Sequence, residues 1–381
     1  MQFGIIYYGY SAVEFNVNVI SIALWPLCTL YFWRAYQNNK LSDWLLFAGV
    51  AAVNILNKYV GATLLLSLVV FVIADKSVLK LMKNIKVYAG GFLFLLILIP
   101  HFYWLYVTDF EMLNYIASRN HQGSIVSVLS HIVYPLKFLF AQILFSAASW
   151  LTYSIFYLRS EKDKFKGEKR KSLFIAATSL VPILFFMLIS LIKGTPLKSM
   201  WGFPCLYMWG IALFYFFPIV WNAKKEKCLF LTMGIFSILF AAAYVMQCLL
   251  TTSLRYQTNC IEVSDNLADK WQKKMQHPLE YVGGGVWYSD MVALYAKGDV
   301  KPMIWLSPKN NPWLDTADFE IKGALVVAES FDEYQSYKRQ YPHKITSPQT
   351  IKLALKNYFG KTKVKEIFYG FYVPKEAENG K

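Results

Sequence analysis

The sequence predicts a polytopic α-helical membrane protein that ends in a water-soluble α/β domain, and three observations predict it. Hydrophobic residues make up 56% of the chain and charged residues only 17%, whereas a soluble chain carries about a quarter charged. Between residues 16 and 250 the apolar residues gather in long runs broken by short polar loops. Several runs approach the roughly 20 residues needed to cross about 30 Å of hydrocarbon. After residue 250 the long runs stop and shorter, alternating segments take over. The expected organisation is therefore a multi-span domain over 1–250 and a soluble domain over 251–381.

The runs place spans at 16–33, 44–56, 60–73, 87–106, 131–156, 173–192, 201–221 and 228–249, about eight in all. The second and third are short. They read as a packed pair meeting at Asn57, Lys58 and Tyr59, the kind of break at which membrane proteins build sites.

The formal charge of +15 would point to nucleic acid in a soluble chain, but here the cations concentrate in loops. Those at 34–40, 76–86, 159–171 and 224–227 fall on one side, which the positive-inside rule makes cytoplasmic. The loops at 1–15, 107–130 and 194–200 carry few cations and fall on the other. The soluble domain follows the last span on that second side and is expected to be extracytoplasmic, in the periplasm of an inner-membrane protein. Trp33, Trp104, Trp201 and Trp221 stand at span boundaries, as interfacial anchors do. The basic run at 162–171 reads as a topology determinant, with binding of anionic headgroups as the alternative. Cys28, Cys205, Cys228, Cys248 and Cys260 have no metal-ligand spacing and read as packing residues. Residues 1–14 show neither the basic start nor the small-residue cleavage site of a signal peptide.

In the soluble domain, helices are expected at 266–275, 289–296, 332–341 and 350–355, and strands at 279–286, 302–306, 323–328 and 366–372. Strands alternating with helices favour a small, mostly parallel sheet. Gly283, Gly284 and Gly285 read as a tight strand-to-helix turn. The alternative is a phosphate cradle, but the spacing matches neither the dinucleotide fingerprint nor the P-loop.

Candidate chemistry gathers at the outer span ends. Asn16 and Asn18, two residues apart, point in different directions on a helix, one as a cap and the other toward a cavity. Lys58 is a cation between two apolar helices on the cation-poor side. It either snorkels to the interface or binds a phosphate through charge-assisted hydrogen bonds, with Tyr59 as a hydroxyl donor. His101 follows Pro100 and is a cavity residue or a buried hydrogen-bonded histidine. Asp109 and Glu111, followed by Arg119, His121 and His131, are solvated loop charges or the general base toward a sugar hydroxyl, and a divalent cation is a further candidate ligand of these carboxylates. No metal-ligand motif is present. In Leu197-Lys198-Ser199-Met200-Trp201-Gly202, Lys198 can bind a phosphate or diphosphate while Trp201 stacks on a sugar or isoprenoid. The alternative is a plain anchor loop.

Several fragments, in order, resemble membrane-embedded glycosyltransferases of the family 39 type, relatives of the protein O-mannosyltransferases and the lipid A aminoarabinose transferases. They are Phe15-Asn16-Val17-Asn18 leading into Leu24-Trp25-Pro26-Leu27, the Asn57-Lys58-Tyr59 junction, Pro100-His101 with Trp104 and Asp109-Phe110, and Leu197 to Gly202. The resemblance implies a C-type glycosyltransferase-like bundle that takes a sugar from a polyprenyl-phosphate carrier and passes it to a lipopolysaccharide, glycan or protein acceptor at the outer face. It implies that Lys58 and Lys198 help hold the carrier phosphate and that an acidic residue, Asp109 or Glu111, activates the acceptor; Tyr59 joins the phosphate site, and Asn16, Asn18, His101 and Trp201 the substrate cavity, on the reading of the residues themselves. It implies no certain cofactor. The family's first span and the outer loop bearing its main catalytic carboxylate should stand upstream of Phe15, so the chain looks shortened at its N-terminus. The rival reading is a non-catalytic or transport protein handling lipid-linked glycans, which would be expected to show paired repeats or several mid-span charges.

Overall fold

The computed structural model describes residues 16–110, 112–113, 127–165, 167–252 and 257–373. The chain divides into two compact units, Met1–Tyr244 and Val245–Lys381.

The first unit is helical. Helix α1 (Val17–Asn38) begins at Asn16, whose side chain accepts from the Asn18 backbone N–H, and ends at Asn39 in the left-handed region. A tight link leads into α2 (Leu41–Asn57), and Lys58 to Val60 separate α2 from α3 (Gly61–Ala74). The short α4 (Val78–Met82) precedes α5 (Ile85–Val107). Then come α6 (Ser130–Phe145), α7 (Ala147–Arg159), α8 (Lys169–Lys193), α9 (Trp209–Phe216) and α10 (Ala223–Leu250). Among the described residues, α1, α5, α8 and α10 are long and apolar enough to cross a membrane, and α6 with α7 makes a fifth if the pair is one span. Helix α10 buries none of its residues. An apolar helix with no buried face among the described residues suits a membrane span.

Of the eight expected spans, those at 44–56 and 60–73 are the shorter apolar helices α2 and α3, of 17 and 14 residues, and two others differ further from what is observed. The run at 131–156 is bent by 60° between α6 and α7. At the bend Ser146 Oγ donates to the Gln142 carbonyl at 2.8 Å, a competing bond that commonly accompanies helix distortion. The run at 201–221 is not one helix. Ser199–Gly202 and Pro204–Met208 are 3-10 turns, and α9 covers only eight residues before the chain leaves helical geometry at Phe217. Pro204 brings no backbone N–H, and Pro218 follows the break. Such irregular backbone survives at membrane depth only when protein surrounds it, and Phe203 to Met208 are all buried. They pack with Trp25, Cys28, Leu64, Phe138 and Phe186 in one apolar cluster.

The second unit is a three-layer α/β sandwich. Its elements run α11 (Cys260–Met275), β1 (Tyr281–Gly284), α12 (Val286–Tyr295), β2 (Lys301–Ile304), α13 (Thr316–Lys322), β3 (Ala324–Ala328), α14 (Phe331–Gln340), β4 (Gln349–Lys356) and β5 (Thr362–Tyr372). The sheet order is β2-β1-β3-β5-β4. Strands β2, β1 and β3 are parallel, whereas β5 runs antiparallel to both β3 and β4, so the sheet is mixed rather than mostly parallel. Alternation along β3 sends Leu325 and Val327 to a core with α11 and α12, and Ala324, Val326 and Ala328 to a core with α13 and α14.

The segment 350–355, expected as a helix, is strand β4. Leu353 and Leu355 are buried while Lys352 and Lys356 are exposed, a period of two that pairing with β5 enforces over the helix-forming tendency of Leu, Ala and Lys. Of the glycine triplet, Gly283 and Gly284 end β1 and Gly285 caps α12, and the glycines serve close packing. Gly284 has φ +138 and its Cα lies so near Val327 that an added Cβ would fall 1.9 Å from the carbonyl oxygen. A Cβ on Gly285 would meet the Glu333 carboxylate at 2.6 Å, and an acidic neighbour is the wrong partner for a phosphate.

Candidate active site

The break between α2 and α3 gathers several polar side chains of the first unit. The chain closes α2 with Lys58 N–H donating to the Asn54 carbonyl, and Gly61 N–H returns to the Lys58 carbonyl at 2.8 Å. This tight exchange leaves Lys58 extended, at φ −164. Its ammonium donates to Asn18 Oδ1 at 2.6 Å, and Asn18 is only 6% exposed. Of the asparagine pair, Asn16 therefore caps α1 while Asn18 turns inward toward Lys58. The neighbouring Asn57 amide donates to the Val17 carbonyl at 2.9 Å and to Ser21 Oγ at 3.0 Å, pinning the break to the first turns of α1.

Tyr59 reaches the other way. Its hydroxyl and His101 Nε2 are 2.7 Å apart, and the His101 ring stacks on Trp104 with centroids 5.6 Å apart and planes 21° from parallel. Pro100 stands inside α5 just before this histidine. Lys58 and Tyr59 thus lie back to back, one bound to α1 and the other to α5.

The 197–202 segment joins the same neighbourhood through its apolar residues. Val60, Leu197, Met200 and Trp201 pack on the cluster that holds Phe203 to Met208, and the fully buried Cys205 lies within electrostatic reach of Lys58. Lys198 stands at the N-terminal edge of the first 3-10 turn, with an exposed side chain. The turn is fixed from below by Gln142, fully buried in α6, whose amide donates to the Ser199 carbonyl at 3.0 Å. Gly202 permits this contact, because a Cβ there would fall 2.3 Å from Gln142 Oε1.

Asp109 is exposed and lies past the end of α5, on the order of 10 Å along the chain direction from His101 at the helical rise per residue. Asp109 and Phe110 both adopt positive φ, at 51° and 56°, and Phe110 N–H closes back on the Leu105 carbonyl at 2.8 Å. Left-handed geometry is tolerated by aspartate but is unusual for phenylalanine, so the turn that carries Asp109 is a strained one. His131 is drawn away to the Leu191 carbonyl, 2.6 Å from its Nδ1. Glu111, Arg119 and His121 lie outside the described residues. Among the described residues no three His, Cys, Asp or Glu side chains gather where a metal ion would sit.

Two residues that the sequence reading passed over belong to this framework. Asn54 and Gln142 are fully buried, and neither Asn54 amide atom, nor Gln142 Oε1, has a hydrogen-bond partner among the described residues. The available signal was a single amide inside an otherwise apolar run, a costly placement that calls for a reason. A cavity of about 470 Å3 lies between α2, α3 and α5 and includes Phe47, Leu68, Val69, Val87 and Phe94 in its wall. It occupies the halves of these helices remote from the Lys58 break and offers no acid, base or phosphate ligand.

No curated protein and no solved structure matches the chain. Residues 1–104 match the family model of the dolichyl-phosphate-mannose-protein mannosyltransferases, a stretch that contains Asn16, Asn18, Lys58, Tyr59 and His101. That family implies glycosyl transfer from lipid-linked sugar donors, and together with the long apolar helices it supports a multi-pass membrane protein. The match supports the protein-mannosyltransferase-like glycosyltransferase superfamily that the sequence resembles.

Proposed function

We propose that the protein transfers a sugar from a polyprenyl-phosphate donor to an envelope acceptor, a lipopolysaccharide, another glycan or a protein, at the outer face of the inner membrane. The observation that carries the reading is the α2–α3 break, where Lys58 is held by Asn18 at 2.6 Å and Tyr59 by His101 at 2.7 Å. A fixed cation at the end of an apolar helix pair suits the phosphate of a lipid whose chain remains in hydrocarbon.

In the reaction, the bond between the sugar anomeric carbon and the carrier phosphate oxygen breaks, and a bond from that carbon to an acceptor oxygen forms. The electron pair leaves with the phosphate, where Lys58 stabilises the growing negative charge and Lys198 supplies a further donor, while Tyr59, turned to His101, lines the opposite side of the break. The acceptor hydroxyl gives its proton to a carboxylate, for which Asp109 and Glu111 are the candidates. Asn18, Asn16, His101 and Trp201 shape the cavity around the sugar. The loop charges support placing this site, and the α/β unit, on the non-cytoplasmic side.

The test is transfer of labelled sugar in proteoliposomes supplied with polyprenyl-phosphate sugars and candidate acceptors. Turnover should fall in Lys58→Met and in Lys198→Met, with Asp109→Asn separating the two carboxylates. Donor binding with no transfer by the intact chain to any acceptor class would instead favour a non-catalytic handler of lipid-linked glycans.

A further inference from the structure

The β4–β5 hairpin ends in a turn of unusual composition. Asn357 organises it, with its N–H donating to the Lys361 carbonyl at 3.0 Å, its carbonyl accepting from Gly360 N–H at 3.1 Å, and Oδ1 accepting from Lys361 N–H at 2.9 Å. Gly360 takes φ +79 to close the loop. The turn is therefore well determined, yet it holds Tyr358 and Phe359 outward at 79% and 66% exposure, their rings edge to face at 5.5 Å.

Around this tip the charge has one sign. Lys356, Lys361 and Lys363 are exposed and make no ion pair among the described residues, since Lys352 and Lys365 take Glu366 and Glu329. Two large aromatic rings on a hydrogen-bonded turn, ringed by exposed lysines, are poorly suited to water and well suited to a headgroup layer, where amphipathic rings and cations both find partners.

The position of the tip supplies the independent observation. The Asn357 side-chain amide donates to the carbonyl of Leu250 at 2.9 Å. Leu250 is the last residue of α10, an apolar helix long enough to span the bilayer, and its carbonyl is one of those a helix end leaves without an intrahelical partner. The hairpin tip is thus fastened to the C-terminal end of α10.

We propose that the Asn357–Lys361 turn is a membrane-surface anchor. Tyr358 and Phe359 enter the interface of the leaflet from which α10 emerges, and Lys356, Lys361 and Lys363 meet the phosphates of anionic phospholipids. The inference rests on α10 crossing the bilayer and is independent of the transfer chemistry.

The test uses the full chain with Cys228, Cys248 and Cys260 replaced by serine, leaving the buried Cys28 and Cys205. A nitroxide is placed by Phe359→Cys or, as a solvent reference, by Lys297→Cys on an exposed loop. In vesicles of phosphatidylcholine and phosphatidylglycerol, the label at 359 should be severalfold more accessible to oxygen, relative to an aqueous nickel chelate, than the label at 297. Replacing the three lysines by glutamine should remove the dependence of this protection on phosphatidylglycerol. Equal accessibility at 359 and 297 would overturn the proposal. So would protection that tracks protein density rather than lipid, since the tip would then cover a protein surface.

Discussion

Lys58 and Asn18 are joined across the bundle, the ammonium of one donating to the buried amide oxygen of the other at 2.6 Å. The pairing shows how a cation is held at the end of an apolar helix, because the amide oxygen orients the ammonium without itself carrying a charge. Replacement of Asn18 by aspartate and by alanine should therefore diverge. Asn18→Asp creates an ion pair that competes with phosphate and should weaken donor binding about 10- to 100-fold, the worth of a charge-assisted hydrogen bond of about 1.5–3 kcal/mol. Asn18→Ala leaves the charge intact and should cost less. Titration of both variants with a polyprenyl phosphate checks the order, and equal affinities would remove the phosphate role of Lys58.

The contact between Tyr59 and His101 should register as a coupling. Tyr59→Phe deletes the hydroxyl that stands 2.7 Å from Nε2 while keeping the ring, and His101→Ala deletes the other partner. A double-mutant cycle on thermal midpoints or on transfer rates should give an interaction of about 1 kcal/mol. If Trp104, stacked on His101, is what orients the imidazole, the cycle will be additive and Trp104→Leu will carry the larger effect.

Much of the membrane half was legible because hydrocarbon imposes a length on apolar runs, and the runs that became α1, α5, α8 and α10 satisfy it directly. The Lys58 break was legible for a related reason, since a cation in such a place is conspicuous. The 201–221 segment was misread because apolar content says nothing of whether a run is one helix. Its 3-10 turns depend on Pro204 and on Gly202 fitting beneath Gln142, which are tertiary facts. Strand β4 was misread on local propensity, its true partner lying across a hairpin whose pairing is set by burial of Leu353 and Leu355.

Gly61 and Asn54 form a lock at the same break. A Cβ on Gly61 would fall 2.7 Å from Asn54 Nδ2 and 3.0 Å from the Asn54 carbonyl, so Gly61→Ala must push α2 and α3 apart. Overpacking of this kind costs about 1–3 kcal/mol, visible as a lowered melting temperature in detergent. Truncating the amide in Gly61→Ala/Asn54→Ala relieves the side-chain part of the clash and should recover some of the loss, whereas independent effects would add.

Asp75 ties three helices together and makes the bundle acid-sensitive in a defined sense. Ser77 Oγ donates to its carboxylate at 2.6 Å, the Tyr36 hydroxyl donates as well, and Arg170 Nε bridges both oxygens at 3.1 and 3.2 Å. Burial raises the Asp75 carboxyl, but the hydrogen bonds from Ser77, Tyr36 and Arg170, with the Arg170 charge, outweigh it and hold the group below the ordinary carboxylate range. A folded-state value below the unfolded one means the stabilisation is fully present above the unfolded pKa, near about 3.9, and is lost as pH falls through the folded value. Asp75→Asn keeps an acceptor for Ser77 and Tyr36 but removes the charge opposite Arg170. It should cost about 1–2 kcal/mol at neutral pH, and the melting curves of variant and parent should draw together on acidification below about pH 4. A gap that persists unchanged at low pH would mean that packing around Asp75, rather than its charge, holds α1, α3 and α8 together.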